Sequence, residues 1–216
     1  MKRFIAILAS LSLLIIGNVA LAQTTTTLEV VPSKTKVVKG ETFTVAIYVN
    51  PSVAVAGAQF NLSWNANALT VNSVADGGIF APSYFMPGTI NNSTGTLINV
   101  ASVIITPGAS VAVRGVLATL TCTAKTPGSV SNFSLSNTIV GNKDGIAVPL
   151  GPPVVNQLSV ADLYDLNGDG TVNLQDLIIV GQAFSTTGVP GWRPEDINVD
   201  GKVDILDMIL IGQHFS

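Results

Sequence analysis

Two stretches of alternating oxygen-bearing residues, 165–176 and 196–207, carry the clearest chemistry in this 216-residue chain. They are the starts of an internal repeat: residues 165–185 align with 196–216 without gaps, 11 of 21 positions being identical. Calcium is a hard cation that takes six to eight oxygen ligands, and a twelve-residue loop supplies them at alternate positions. In the first loop the expected ligands are Asp165, Asn167, Asp169, the Thr171 carbonyl, Asn173 and Asp176. In the second they are Asp196, Asn198, Asp200, the Lys202 carbonyl, Asp204 and Asp207. Lys202 is compatible because only its backbone is needed there. Gly170 and Gly201 hold the sixth position, where the chain turns sharply. The competing reading is an Asp/Asn-rich surface turn that binds nothing. Two loops in one register, each feeding a matching apolar segment, favour two structural Ca2+ ions.

The elements that must position these loops depart from the ordinary EF-hand, which has a helix on each side and a Glu at position twelve. Here position twelve is Asp176 and Asp207. Gly188, Pro190, Gly191 and Pro194 exclude a helix before the second loop. Each repeat is therefore a loop followed by one helix, over residues 174–184 and 205–215. Helices this short need packing to persist, so they are expected to lie antiparallel against each other, with Val172 and Val203 joining the loops. Metal binding is then coupled to folding.

A duplicated calcium loop with Asp at position twelve, followed by a single helix, resembles a dockerin. The resemblance covers residues 160–216 and implies docking to a cohesin. The family's selectivity positions fall here on Leu174, Gln175, Ile205 and Leu206, with Gly181, Gln182, Gly212 and Gln213 further along the helices. Three of the four loop positions are apolar, which implies a greasy docking patch. The other reading is that these side chains fill the module's own small core.

Upstream the period changes from helical to alternating. Runs at 42–49, 56–63, 69–74, 96–105, 116–124 and 133–139 are rich in β-branched and aromatic residues. Gly- and Pro-bearing turns separate them. Many short strands in about 120 residues predict an antiparallel sandwich. The segments Val38-Lys39-Gly40-Glu41-Thr42, 55–64 with Leu69, and 115–120 resemble a cohesin, more generically than the repeats resemble a dockerin. The expected fold is mainly β: a jelly-roll β-sandwich, cohesin-like over 24–142, followed by a small α-helical calcium-binding dockerin module over 160–216. Pro149, Gly151, Pro152 and Pro153 mark residues 143–158 as a linker, or as a last strand with its connector.

Residues 1–22 have the form of a signal peptide: Lys2 and Arg3, an apolar run over 4–19, then Ala20-Leu21-Ala22. An uncleaved anchor is the alternative, but the run is short and is broken by Ser10, Ser12, Gly17 and Asn18. The expectation is a secreted, extracellular protein with no membrane segment after cleavage. Cys122 is the only cysteine and falls in an alternating strand pattern, so it is expected as a buried small residue.

Charge is unevenly spread. Residues 161–216 hold nine acids against Arg193 and Lys202, a net −7, whereas residues 23–160 hold six bases and four acids, a net +2. This is the reverse of a nucleic-acid binder. Catalysis finds no support: His214 is the only histidine, and the sandwich offers only Glu29, Glu41, Asp76 and Asp144 as acids. Glycoside hydrolysis would need two of them facing each other across a cleft. The expected function is a non-catalytic adaptor, its partners cohesin- or dockerin-bearing proteins, with head-to-tail self-assembly if its two ends match. The alternative is a carbohydrate-binding or adhesion-type sandwich tethered by its dockerin, for which Tyr48, Trp64, Tyr84 and Phe85 are the candidate polysaccharide-contacting aromatics.

Overall fold

The computed structural model describes residues 25–216; the leader read over 1–22 lies outside them. The strands in chain order are β1 (Thr27–Pro32), β2 (Lys36–Val38), β3 (Thr42–Asn50), β4 (Gly57–Ser63), β5 (Leu69–Asp76), β6 (Ser83–Met86) and β7 (Thr89–Asn91). They continue with β8 (Thr96–Ile104), β9 (Gly115–Ala124), β10 (Val130–Ser131), β11 (Ser134–Gly141), β12 (Val154–Val155) and β13 (Leu158–Ala161). Two helices follow, α1 (Leu174–Gln182) and α2 (Ile205–Gln213).

The strands form two principal layers. One sheet has the order β12-β1-β3-β9-β5; the other has β11-β4-β8-β6, with β7 also pairing to β8. A small sheet, β10-β13-β2, completes the fold. Each long strand alternates because successive side chains point to opposite faces. In β4, Ala58, Phe60 and Leu62 are buried while Gly57, Gln59, Asn61 and Ser63 face outward. The inner faces meet in one core around Ile47, Phe60, Leu69, Phe80, Leu97 and Leu120. Cys122 lies within it, and burial pushes its thiol pKa up to about 12. The thiol therefore stays protonated and inert.

The six strand runs read from the pattern are all present. The shorter strands were not individually legible, and residues 143–158 are not a free linker. Leu150 bridges Thr26, β12 runs parallel to β1, and β13 runs parallel to β2. Leu158 and Val160 are buried in the sandwich core, with Val148, Leu150 and Val155 packed against it. The prolines are tolerated because Pro149, Pro152 and Pro153 all precede β12, an edge strand, and none lies within β12 or β13. Of the two readings of this stretch, the last-strand one holds, and the sandwich extends to Ala161.

The C-terminal module has a separate core: Val172, Val180, Ala183, Ile197, Val203 and Ile211, with Tyr164, Leu177 and Met208 packed against it. Val172 and Val203 both belong to it, as their repeated positions predicted. The repeat is also a structural symmetry. Ser185 donates its N–H to the Val203 carbonyl at 2.8 Å, and Ser216, its counterpart in the second repeat, donates to the Val172 carbonyl at 3.0 Å. The helices end at Gln182 and Gln213, just short of their predicted limits at Phe184 and Phe215. None of the described helices is long and apolar enough to cross a membrane.

Candidate functional site

Two surfaces stand out, and the first is the outer face of the β11-β4-β8-β6 sheet. Strand register lays two rows of residues across it. One row is Gly141, Gly57, Val103 and Tyr84; the next is Ile139, Gln59, Ala101 and Met86. Tyr84, Met86, Val103 and Ile139 are all exposed, Tyr84 by 63%. Between them lie Gly141, Gly57 and Ala101, with Gln59 beside Ile139, and a Cβ added at Gly57 would come within 3.2 Å of the Ser102 carbonyl oxygen and of Val103. The result is a shallow trough of about 540 Å3 with an apolar lining.

Beside the trough runs a row of amides. Asn99 and Asn137 both have positive φ, 62° and 49°. They sit at irregularities of β8 and β11. Asparagine tolerates this left-handed conformation better than most residues. Asn61, on β4 between those strands, accepts a 2.8 Å hydrogen bond from the Asn99 N–H. Lys143, at the trough's rim, is ion-paired to its neighbour Asp144 at 2.8 Å. The face is thus apolar and amide-rich, with almost no free charge. Exposed apolar area gathered in this way is a mark of an interaction site.

The four aromatics considered for glycan contact do not share a face. Trp64 is buried and donates its indole N–H to the Leu69 carbonyl at 3.2 Å. Tyr48, on the opposite sheet, is covered by the Arg114 guanidinium 3.6 Å from its ring centroid. Phe85 packs on the core, and only Tyr84 projects from this sheet. The sandwich acids are likewise engaged: Glu29 with Arg114, Glu41 with Lys34, Asp76 with Ser83, and Asp144 with Lys143. The Lys34 bond and the Val38 amide hold the Glu41 carboxyl below the usual range.

The second surface is the pair of loops with their helices. Asp165 receives the N–H groups of Gly168, Asp169 and Gly170 at 2.8–3.1 Å. Asp196 receives those of Asp200 and Gly201 at 3.0 Å, and that of Gly191 at 2.9 Å. Gly170 and Gly201 have φ of 92° and 88°, the positive values that this tight turn requires. Asn167 donates to Asp169 at 2.9 Å, and Asn198 donates to Asp200 at 3.0 Å. Asp169 is held low by hydrogen bonds from the Thr171 hydroxyl and amide, then from Asn167. Asn173 and Asp204 cap the two helices. Each does so in a reciprocal capping box with the Asp three residues on.

Position twelve is where the structure adds most to the sequence pattern. Asp176 and Asp207 are both buried, although each was read simply as a ligand. The Asp176 carboxylate accepts N–H groups from Leu166, Asn167 and Asn173 at 2.8–3.1 Å. Asp207 accepts the equivalent three, from Ile197, Asn198 and Asp204, at 2.8–3.2 Å. One carboxylate thus ties the start of each loop to the start of its helix. As placed, no group of three or more His, Cys, Asp or Glu among the described residues is gathered closely enough to hold a metal. The donor chemistry nonetheless fits a hard cation: every expected ligand atom is an oxygen, and most of the carboxylate oxygens here accept one N–H and keep a further lone pair.

The residues read as partner-binding all lie at the surface. Leu174, Ile205 and Leu206 are exposed, as are Gln175, Gln182, Gly181, Gly212 and Gln213. So the apolar members do not fill the module's core. Leu174, Ile178, Gly181 and Gln182 border a shallow apolar groove between the helices, with Leu177 and Met208 as its floor. Ile178 and Ile209, one turn beyond Leu174 and Ile205, are half exposed and extend the stripe. They were not singled out beforehand, although their i, i+4 spacing from those residues is visible in the sequence.

The fold and the sheet face define a β-sandwich interaction module. The chain belongs to the cohesin family, since the cohesin domain model matches residues 28–150. The match covers most of the sandwich and ends before β12, β13 and the C-terminal module. Among solved structures, the second type II cohesin module from the adaptor scaffoldin of Acetivibrio cellulolyticus is 13% identical, with a TM-score of 0.53 over 64% of this chain and 98% of that one. A non-cellulosomal cohesin from the archaeon Archaeoglobus fulgidus is 17% identical, with a TM-score of 0.51 over 63% and 91%. A type II cohesin-X-dockerin complex from Acetivibrio cellulolyticus is 12% identical, with a TM-score of 0.51 over 62% and 99%. At these identities the likeness is one of fold. None of the curated proteins matches the chain.

Proposed function

We propose that this protein is a secreted, non-catalytic adaptor with a socket on its sandwich and a calcium-folded plug at its C-terminal end. The socket is the outer face of the β11-β4-β8-β6 sheet, and its partner is a dockerin-type helical pair. The plug is the module over residues 162–216, dockerin-like in its repeats and directed at a cohesin. Two calcium ions would be held by Asp165, Asn167, Asp169, Thr171, Asn173 and Asp176, and by Asp196, Asn198, Asp200, Lys202, Asp204 and Asp207. Calcium would supply fixed positive charge that offsets the loop carboxylates, and no chemical step passes through it.

The observation that carries the reading is the trough between Tyr84, Val103 and Ile139, an exposed apolar face on a cohesin sandwich. One similar structure is itself a cohesin-X-dockerin complex. The dispersal of Trp64, Tyr48 and Phe85 favours a protein partner over a glycan, which would need aromatics aligned on one face. The test is titration of the full chain with a panel of purified, calcium-loaded dockerins by isothermal calorimetry. At least one should bind, and Val103→Asp should weaken it by a factor of about 100 or more, as expected for a charge left unpaired at an apolar interface centre. Equal binding by Val103→Asp and the parent would remove the sheet face from the interface.

A further inference from the structure

Resting on that reading, we infer that the socket's partner is the plug of a second copy of this chain, so that the protein assembles head to tail. The two surfaces match in an unusual respect, which is that neither presents a free charge. In α1 and α2 the only ionisable side chains are Asp176 and Asp207, and both are buried. What the helices expose is Leu174, Ile178, Ile205, Leu206 and Ile209, bordered by amides. The sheet offers the same composition: apolar side chains around a trough, with Gln59, Asn61, Asn99 and Asn137 beside it. A charged surface docked on either face would strand its charges without partners.

Long-range electrostatics favours the same pairing. The sandwich carries six bases against four acids, and residues 161–216 carry nine acids against two bases. Two bound calcium ions would bring that −7 only to −3, so the C-terminal module and the sandwich stay opposite in net charge. Two C-terminal modules, or two sandwiches, carry like net charge and would repel.

The chain's own geometry directs the contact outward to another copy. Between Ala161, the end of β13, and Tyr164, which packs in the module's core, only Asp162 and Leu163 intervene. The three Cα steps from Ala161 to Tyr164 reach about 10–11 Å when fully extended, comparable to the roughly 10 Å that separates the layers of a sandwich. So short a tether holds the module at its own end of the sandwich. A contact between unlike surfaces then propagates as an open chain or closes as a ring.

Light scattering coupled to size exclusion, on the mature full-length chain, tests this. In calcium the mass should rise with concentration above that of one chain, and a chelator should return it to the monomer. Val103→Asp, which spoils the socket, and Ile209→Asp, which spoils the plug, should each be monomeric while keeping the parent's circular dichroism. Mixed in equal amounts they should form a complex of two chains that does not grow further, because each supplies the surface the other lacks. Tyr84→Ala provides a second socket variant if Val103→Asp does not fold. A parent that stays monomeric in calcium at millimolar concentration overturns the inference, as does a mixture that stays monomeric. If that monomeric parent still binds a foreign dockerin through Val103, self-docking fails while the adaptor reading stands.

Discussion

Replacing Asp207 by alanine should unfold the C-terminal module and leave the sandwich intact. The Asp207 carboxylate accepts the N–H groups of Ile197, Asn198 and Asp204 at 2.8, 3.2 and 2.8 Å, and the residue is fully buried. A hydrogen bond to a charged group contributes about 1.5–3 kcal/mol, and a buried donor left without an acceptor costs a similar amount. The Asn198 and Asp204 amides are only partly buried and can turn to water, so the total is about 3–5 kcal/mol. A module of roughly 55 residues has a stability of roughly 3–8 kcal/mol at typical values per residue. The loss therefore takes most of it. The sandwich should not respond, because its buried core and the module's share no residue. Calorimetry in calcium should show two transitions for the parent and one for Asp207→Ala, with helical circular dichroism lost at room temperature. Asp207→Asn keeps an acceptor for Ile197 and Asn198 but can present an amide NH2 to the Asp204 N–H, so its module should melt between the two. An alanine variant whose module melts like the parent's would refute the view that this carboxylate closes the loop.

Two further outcomes test other parts of the structure. Leu158→Ala should lower the sandwich transition by about 2–5 kcal/mol, as large-to-small changes in a core do, because Leu158 is buried there; a linker residue would leave both transitions in place. Thr171→Val removes the hydroxyl that does most to hold the Asp169 carboxyl low. A depressed carboxyl stabilises the fold above the unfolded carboxylate pKa, about 3.9, and that contribution fades as pH falls through the lower folded value. The variant's Asp169 should therefore titrate at higher pH in a carbon-detected NMR series, and an unchanged midpoint would contradict the assignment.

How much of this was legible in the sequence follows the range of the interactions concerned. Residue types at alternate positions reveal strands and oxygen-rich loops because the period of a strand, or the turn of a twelve-residue loop, is set within a few bonds. So the six long strands, the two loop-and-helix repeats and the pairing of Val172 with Val203 were accessible from residues alone. Strands β12 and β13 were not, since such short runs beside prolines carry no period. They exist because Leu158 and Val160 find a core built by residues far away along the chain.

The paired loops show the same division. Their sequence by itself determined that the chain carries two matched sets of oxygen donors, each followed by a capped helix, because capping and turn chemistry are local. Only the tertiary structure decided that Asp176 and Asp207 lie buried beneath their loops, and that Leu174 and Ile205 face solvent instead of the module's core. It also decided that Tyr84, Val103 and Ile139, from three different strands, share one face while Trp64 turns inward. Those outcomes depend on which strands become neighbours. Neighbour choice is settled by packing the whole core at once, and no short stretch of sequence contains it.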